Sequence, residues 1–377
     1  MAKVGERIFF DANLSVNRNQ SCAACHDPAW GFTGPNEEIN RHGAVYQGSI
    51  PGAFGDRKPP SSAYATPSPV LSFEGGVWSG GNFWDGRATG QRLGSPSAEQ
   101  AQGPFLNPAE QALRDAACVV ARVARAPYAG LYSSVFGRGI FAIALPPDID
   151  SQCAQAGGAL PLGASVRQQV QAEYDNIARA IAAYESTTNT FSSKYDAYLD
   201  GRATLTAEER LGLTLFEGKA QCANCHPSEG KRALFTDYTY DNLGAMRNPE
   251  NPVYARNPGF VDLGLGGFLG LPSEYGKVKV PTLRNVDRRA YPGGPKAYLH
   301  NGALKSLEDV VHFYNTRDVL PSCDAVATPQ MGVNCWPPPE VSANVNHDEL
   351  GNLGLTGAEE RAIVAFMRTL TDGYQHR

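Results

Sequence analysis

The sequence predicts a mostly α-helical protein built as two similar halves, with long irregular loops between the helices. Three observations lead there. The pattern Cys-x-x-Cys-His occurs twice, at Cys22, Cys25, His26 and again at Cys222, Cys225, His226. Each copy is preceded by a short amphipathic helix and followed far downstream by a helix with small residues on its apolar face. The chain between is dense in turn-forming residues, with 40 Gly and 27 Pro among 377 residues, a composition that breaks regular elements rather than extending them.

In the first half, "VGERIFFDANLS" leads into the first motif, and "EYDNIARAIAAYEST" closes the half with Ile177, Ile181 and Tyr184 on one face. Thr33 to Gly76 reads as loop almost throughout. A boundary falls near residue 200 in "FSSKYDAYLDGRATLT", dividing the chain into 1–200 and 201–377. The second half repeats the order. Thr206 caps "AEERLGLTLFEG", with Glu208 and Glu209 in the first turn and Leu211 and Leu215 one turn apart. Asn248 to Tyr275 again reads as loop. In "KSLEDVVHFYN", Ser306 and Asp309 read as a capping box, and Leu307, Val310, Val311 and Tyr314 share one face, so Tyr314 points inward and His312 does not. The closing helix, "LTGAEERAIVAFMRTLTDG", has a stripe of Ile363, Phe366, Met367 and Leu370, with Ala362 and Ala365 permitting close approach. The repetition reads as an internal duplication.

The repeated motif has a chemical reading that uses every position. Two thiols three apart can each add across a vinyl group of haem, and the His that follows is held under the iron. With 8 Cys and 7 His in the chain, ~0.003 such matches are expected by chance. Zinc is the alternative, but paired Cys-x-x-Cys motifs of zinc sites lie roughly 15 to 20 residues apart, far closer than Cys22 and Cys222. Two covalently bound c-type haems are therefore expected. Attachment of such haems takes place outside the cytoplasmic membrane, so the reading implies export to the periplasm, with the signal segment absent from "MAKVGERIFF". Cys118, Cys153, Cys323 and Cys335 remain, an even number that suits disulfides. Three pairings are open, of which proximity favours Cys118 with Cys153 and Cys323 with Cys335; buried free thiols are the alternative. A net charge of −5 argues against nucleic acid as a partner. No apolar run approaches the ~20 residues that span a bilayer.

The chain resembles the bacterial di-haem cytochrome c peroxidase and MauG superfamily. The likeness runs in order through "GERIFFDANLSVNRNQSCAACHDP", "GGNFWDGRATG", "GPFLNPAEQAL", "AIAAYESTTNTFSSKYDAYLDG", "FTDYTYDNLG", "VKVPTLRNV" and "AYLHNGALKSLEDVVHFYN". It implies two cytochrome c-like domains facing each other, a peroxide-reacting one over 1–200 and an electron-transfer one over 201–377. Glu110 then matches the acid that assists O–O cleavage, with Gln100 and Pro104 as its pocket neighbours; without the resemblance, Glu110 reads as a first-turn helix residue after Pro108. Trp84 matches the relay between haems, against plain packing beside Phe83. Tyr314 stands where the peroxidase branch has a Met ligand to the second haem and MauG a Tyr, against a core tyrosine. His42 is a candidate resting ligand of the first haem, against a solvated loop histidine.

Three departures qualify the resemblance. Lys58 stands where an inter-domain calcium would need an Asn, and an ammonium does not ligate Ca²⁺, which argues against calcium. Ala220 stands where MauG has the tryptophan that passes oxidising equivalents out, leaving Trp30, Trp78 or Trp336 as an exit if one is exposed. The segments around Cys118–Cys153 and Cys323–Cys335 have no counterpart. The resemblance thus implies an enzyme that reacts with hydrogen peroxide, stores oxidising equivalents on two haems and oxidises an aromatic residue of a partner protein. The alternatives are a peroxidase drawing electrons from a small cytochrome c or cupredoxin, and a di-haem electron carrier without catalysis. The sequence leaves the oligomeric state open.

Overall fold

The computed structural model describes residues 1–155 and 157–375. Seven helices carry the architecture: α1 (Ala2–Phe9), α2 (Pro96–Leu106), α3 (Ala116–Arg125), α4 (Ala164–Thr187), α5 (Ala207–Glu217), α6 (Leu307–Thr316) and α7 (Gly357–Arg368). Two small antiparallel ribbons complete it, β1 (Ser72–Glu74) with β2 (Val77–Ser79) and β3 (Tyr240–Asp241) with β4 (Val278–Lys279). Among the described residues no helix is long and apolar enough to cross a membrane.

Apolar side chains gather in two separate main cores. One contains Val4, Ile8 and Phe9 of α1 against Ile177 and Ile181 of α4. The other contains Leu215 and Phe216 of α5 against Ile363 and Phe366 of α7. The two helix crossings are made in the same way. A Cβ on Gly5 would lie 1.8 Å from the Ala180 carbonyl oxygen, and one on Gly212 would lie 1.9 Å from that of Ala362. Only hydrogen fits there, so each motif-bearing half depends on one glycine seated against one alanine of the partner helix.

Local capping fixes where the helices begin. Thr206 and Thr356 form complete capping boxes with Glu209 and Glu359. At α6, Ser306 Oγ accepts from the Asp309 N–H at 3.0 Å, but the expected return bond from Asp309 is missing among the described residues, so half of that box forms. The expected loops are also more ordered than their composition suggests. Asn36 caps a helical turn at Glu37–Arg41, and Asn251 caps Pro252–Arg256. Asparagine supplies an oxygen to orphan N–H groups over a span too short to show periodicity. A further short helix, Gly264–Leu269, lies in the same stretch. The segment from Cys118 to Cys153 is helical, with Ala129–Phe136 and Ile149–Cys153 following α3, and a disulfide joins its ends. The second disulfide, Cys323–Cys335, closes the Pro-rich loop after α6.

Replacing Gly5 by Ala is expected to force α1 away from α4. Overpacking of this kind costs about 1–3 kcal/mol. The loss should appear as a lower midpoint in denaturant unfolding; an unchanged midpoint would mean that the crossing relaxes freely.

Candidate functional site

Each Cys-x-x-Cys-His motif forms a short helical turn, Cys22–Ala24 and Cys222–Asn224. The turn closes with the His N–H donating to the first Cys carbonyl at 2.9 Å in both copies. Nδ1 of His26 lies 3.1 Å from the Phe32 carbonyl and Nδ1 of His226 lies 2.8 Å from that of Phe235. A carbonyl can only accept, so Nδ1 carries the proton and Nε2 is left as a ligand atom in each ring. Burial holds both imidazoles below their usual pKa, in the neutral form a metal requires. The four motif cysteines are unpaired, whereas the other four are in disulfides.

Each motif faces open space. Beside the first, a cavity of about 470 Å³ is lined by Cys22, Cys25, His26 and Glu110, and shares His26 and Gln100 with a larger one of about 1130 Å³. The second motif lines a cavity of about 990 Å³. Cations complete the fit. Lys58, Lys279, Lys296 and Arg284 all line the 1130 Å³ cavity; Lys58, Lys296 and Arg284 are buried and Lys279 is half-buried. Burial lowers Lys279 to about 7 and Lys58 to about 8. Arg284 has a buried Nη2 with no hydrogen-bond partner. Arg284 is already paired with Asp196 through Nη1 at 2.6 Å, whereas Lys58, Lys279 and Lys296 have no carboxylate partner among the described residues. Buried amines of this kind call for anionic partners, and the carboxylates of haem are such partners. The residues present therefore fit one haem at each motif.

Gln100 and Pro104 come from α2 and Glu110 from the turn that follows, all on the wall of the 470 Å³ cavity. Glu110 is not in the first turn of a helix. Asn107 ends α2, and the Glu110 N–H donates to its carbonyl at 2.9 Å, making a tight turn through Pro108. Asn107 Nδ2 also donates to Glu110 Oε1 at 2.7 Å. Burial raises the Glu110 pKa, and that bond opposes the rise.

Trp84 lines both large cavities. Its indole N–H donates to the Lys58 carbonyl at 2.8 Å, and its own carbonyl accepts from the Lys279 N–H at 2.9 Å. Behind it, Arg57 makes two 2.7 Å bonds to Asp262 and one of 2.6 Å to Asp85. His300, buried on the same wall with its ring 6.4 Å from Trp84, was not legible as a site residue in the sequence. Tyr314 projects from α6 into the second cavity beside Cys222, Cys225 and His226. Its hydroxyl has no hydrogen-bond partner among the described residues, and burial raises its pKa.

His42 is not brought to the site. It ends the Glu37–Arg41 turn on the surface, 53% exposed, with Nδ1 2.9 Å from Glu250 and Nε2 3.1 Å from Glu38. His312 instead bonds Glu360 at the α6–α7 contact. Of the other tryptophans, Trp30 and Trp336 are buried and Trp78 is half-buried on β2. Besides His300, sequence reasoning missed Lys279, Lys296 and Glu185. Lysine and glutamate are ordinarily solvated, and a valine on each side of Lys279 was the one sign of burial.

The family model described as di-haem cytochrome c peroxidase matches residues 1–204. MauG, the methylamine utilization protein of Paracoccus denitrificans, is 34% identical over 99% of this chain and 88% of its own length. Cytochrome c551 peroxidase of Nitrosomonas europaea is 27% identical over 82% of this chain and 71% of its own. Among solved structures, the diheme peroxidase BthA of Burkholderia thailandensis superimposes with a TM-score of 0.76 at 31% identity, covering 98% of this chain and 86% of its own.

His42→Ala should leave the haem absorption spectrum and the unfolding midpoint unchanged, as expected for an exposed pair. A shift from low-spin to high-spin absorption would instead make His42 a ligand.

Proposed function

The chain belongs to the di-haem cytochrome c peroxidase family, which includes MauG and whose named members are peroxidases, and on that premise we propose a MauG-like reaction. Hydrogen peroxide is the oxidant, and an aromatic side chain of a partner protein is the reductant. Residues 1–200 form the peroxide-reacting domain and residues 201–377 the electron-transfer domain. Thioether bonds from Cys22, Cys25, Cys222 and Cys225 attach the two haems, and the enzyme works in the periplasm. When bound, the haems supply the redox chemistry, while the protein groups around them hold ligands, shape the pocket and move protons.

His26 would hold the iron of the first haem through Nε2 and His226 that of the second, each with Nδ1 engaged by a carbonyl. Glu110 moves a proton from the near to the far oxygen of peroxide as the O–O bond breaks, with Gln100 and Pro104 shaping the pocket. Trp84 passes oxidising equivalents between the sites, a role supported by its place in the wall of both large cavities. Lys58 provides a fixed positive charge beside it, so calcium has no part in this reading.

The observation that carries the MauG-like reading is Tyr314, whose unpartnered hydroxyl faces the second cavity. An oxygen donor there favours the higher oxidation states of iron, whereas a thioether raises the potential and suits an acceptor of single electrons. A peroxidase fed by a small cytochrome or cupredoxin is the reading that a thioether would have favoured.

Low-temperature EPR of the diferric protein, with one equivalent of peroxide and no reductant, tests this directly. Both ferric signals should vanish promptly; two low-spin signals that ignore peroxide until one electron is added would overturn it. Glu110→Gln should slow the peroxide reaction by about 10²–10⁴-fold. Tyr314→Met should raise the reduction potential of the second haem and shorten the lifetime of the peroxide-oxidised state; an unaltered lifetime would remove Tyr314 from the coordination shell.

A further inference from the structure

Peroxide reduction to two waters breaks one O–O bond and consumes two electrons, here from the partner's aromatic side chain, and two protons. Glu110 only redistributes a proton between the two oxygens and ends as it began. The two consumed protons need another source inside a buried cavity.

We propose that Glu185 is that source: a buried carboxylic acid on the wall of the peroxide cavity that releases a proton inward during turnover and regains one from solvent. The inference rests on the reading that peroxide reacts in this cavity. Glu185 lines it together with Glu110, Gln100 and Cys22, is 3% exposed, and its carboxyl has no hydrogen-bond partner among the described residues. The same wall holds two more unsatisfied acceptors, Gln20 Oε1 and Gln111 Oε1. A line of buried polar groups without protein partners is where bridging water resides, and water carries protons between fixed groups. Solvent is close on the other side, because the next residues of α4, Ser186 and Thr187, are exposed.

The duplication makes the placement specific. Gly5 packs on Ala180 and Gly212 packs on Ala362, so these alanines are equivalent positions. Five residues beyond each lie Glu185 and Met367, and each lines the cavity of its own half. Packing alone is thus satisfied by a thioether at this place. At this position the acid occurs only in the half that would consume protons; the carboxyls of the second cavity, Asp241 and Glu349, come from other segments.

The charge state suits the role. The ionisable groups that line the cavity with Glu185 are Cys22, Cys25 and His26 from the motif turn and Glu110 from the turn after α2. None of these is a cation paired with the carboxyl. Burial raises Glu185 to about 8, so the acid holds its proton at pH 7 and loses it as pH rises through that value. A donor of this kind fails on the alkaline side.

The test combines rapid mixing of the haem-loaded protein with peroxide over a pH series and infrared titration of buried carboxylic acids. In the wild type, the peroxide reaction should fall as pH rises through about 8, and a protonated-carboxyl band should vanish over the same range. Glu185→Gln should remove the band, slow the reaction at pH 7 by about 100-fold and abolish the alkaline fall. Glu185→Met places there the residue the second half already accommodates, so it should fold, load haem and show the same kinetic loss. If both variants keep the wild-type rate and its alkaline fall, Glu185 is not the proton source. If instead the wild type ignores peroxide altogether, the functional reading fails first and this one with it, whatever the infrared titration gives.

Discussion

Trp84 is held at both ends, and the relation between the two motif sites depends on that restraint. Its indole N–H donates to the Lys58 carbonyl at 2.8 Å, and its backbone carbonyl accepts from Lys279 at 2.9 Å. Lys279 belongs to β4, which pairs with β3 just beyond the second motif. The backbone of this residue of the first half is therefore tied to a strand of the second, while its side chain is fixed to Lys58. Neither the ring nor its neighbours can rotate without breaking a buried hydrogen bond, each worth about 0.5–1.5 kcal/mol and more when a partner is left unsatisfied. A planar aromatic wall between two cavities stays fixed for that reason.

The same clamp gathers charge. Lys58 and Lys279 each bond Trp84 through the backbone, and both amines line the large cavity with Lys296 and Arg284. Lys296 is held by the carbonyls of Trp30, Asn285 and Arg288, and Lys279 by Ser68 and the carbonyls of Gly80 and Gly81. These oxygens meet the donors of both amines, and neither amine has a carboxylate partner among the described residues. A chain of net charge −5 thus concentrates buried positive charge where a dianionic cofactor would sit.

Duplication supplied two equivalent shells, and a few side chains make them unequal. Both halves use a glycine-on-alanine crossing, a motif turn and a histidine fixed through Nδ1. Glu110 and Glu185 stand around the first cavity, while Tyr314 and Met367 stand around the second together with the carboxyls of Asp241 and Glu349. The two shells differ in these side chains while their helix crossings are alike.

Much of this was legible in the chain alone. The motif spacing pointed to two sites that fit haem, because thioether attachment and ligation by His require those residues within one turn. The 3.6-residue stripes located α1, α4, α5, α6 and α7, and the inward face of α6 put Tyr314 where it lies. Four cysteines left over matched two disulfides. What the sequence could not decide was set by contacts between residues far apart in the chain. His42 had the composition of a ligand loop, yet Glu38 and Glu250 hold it at the surface. Glu110 looked like a helix start, but Asn107 turns the chain there. Glu185, Lys279, Lys296 and His300 gave almost no signal, because burial of a charged group is a property of what surrounds it. Local spacing fixes covalent chemistry, whereas desolvation and proton affinity arise only when distant segments close around a side chain.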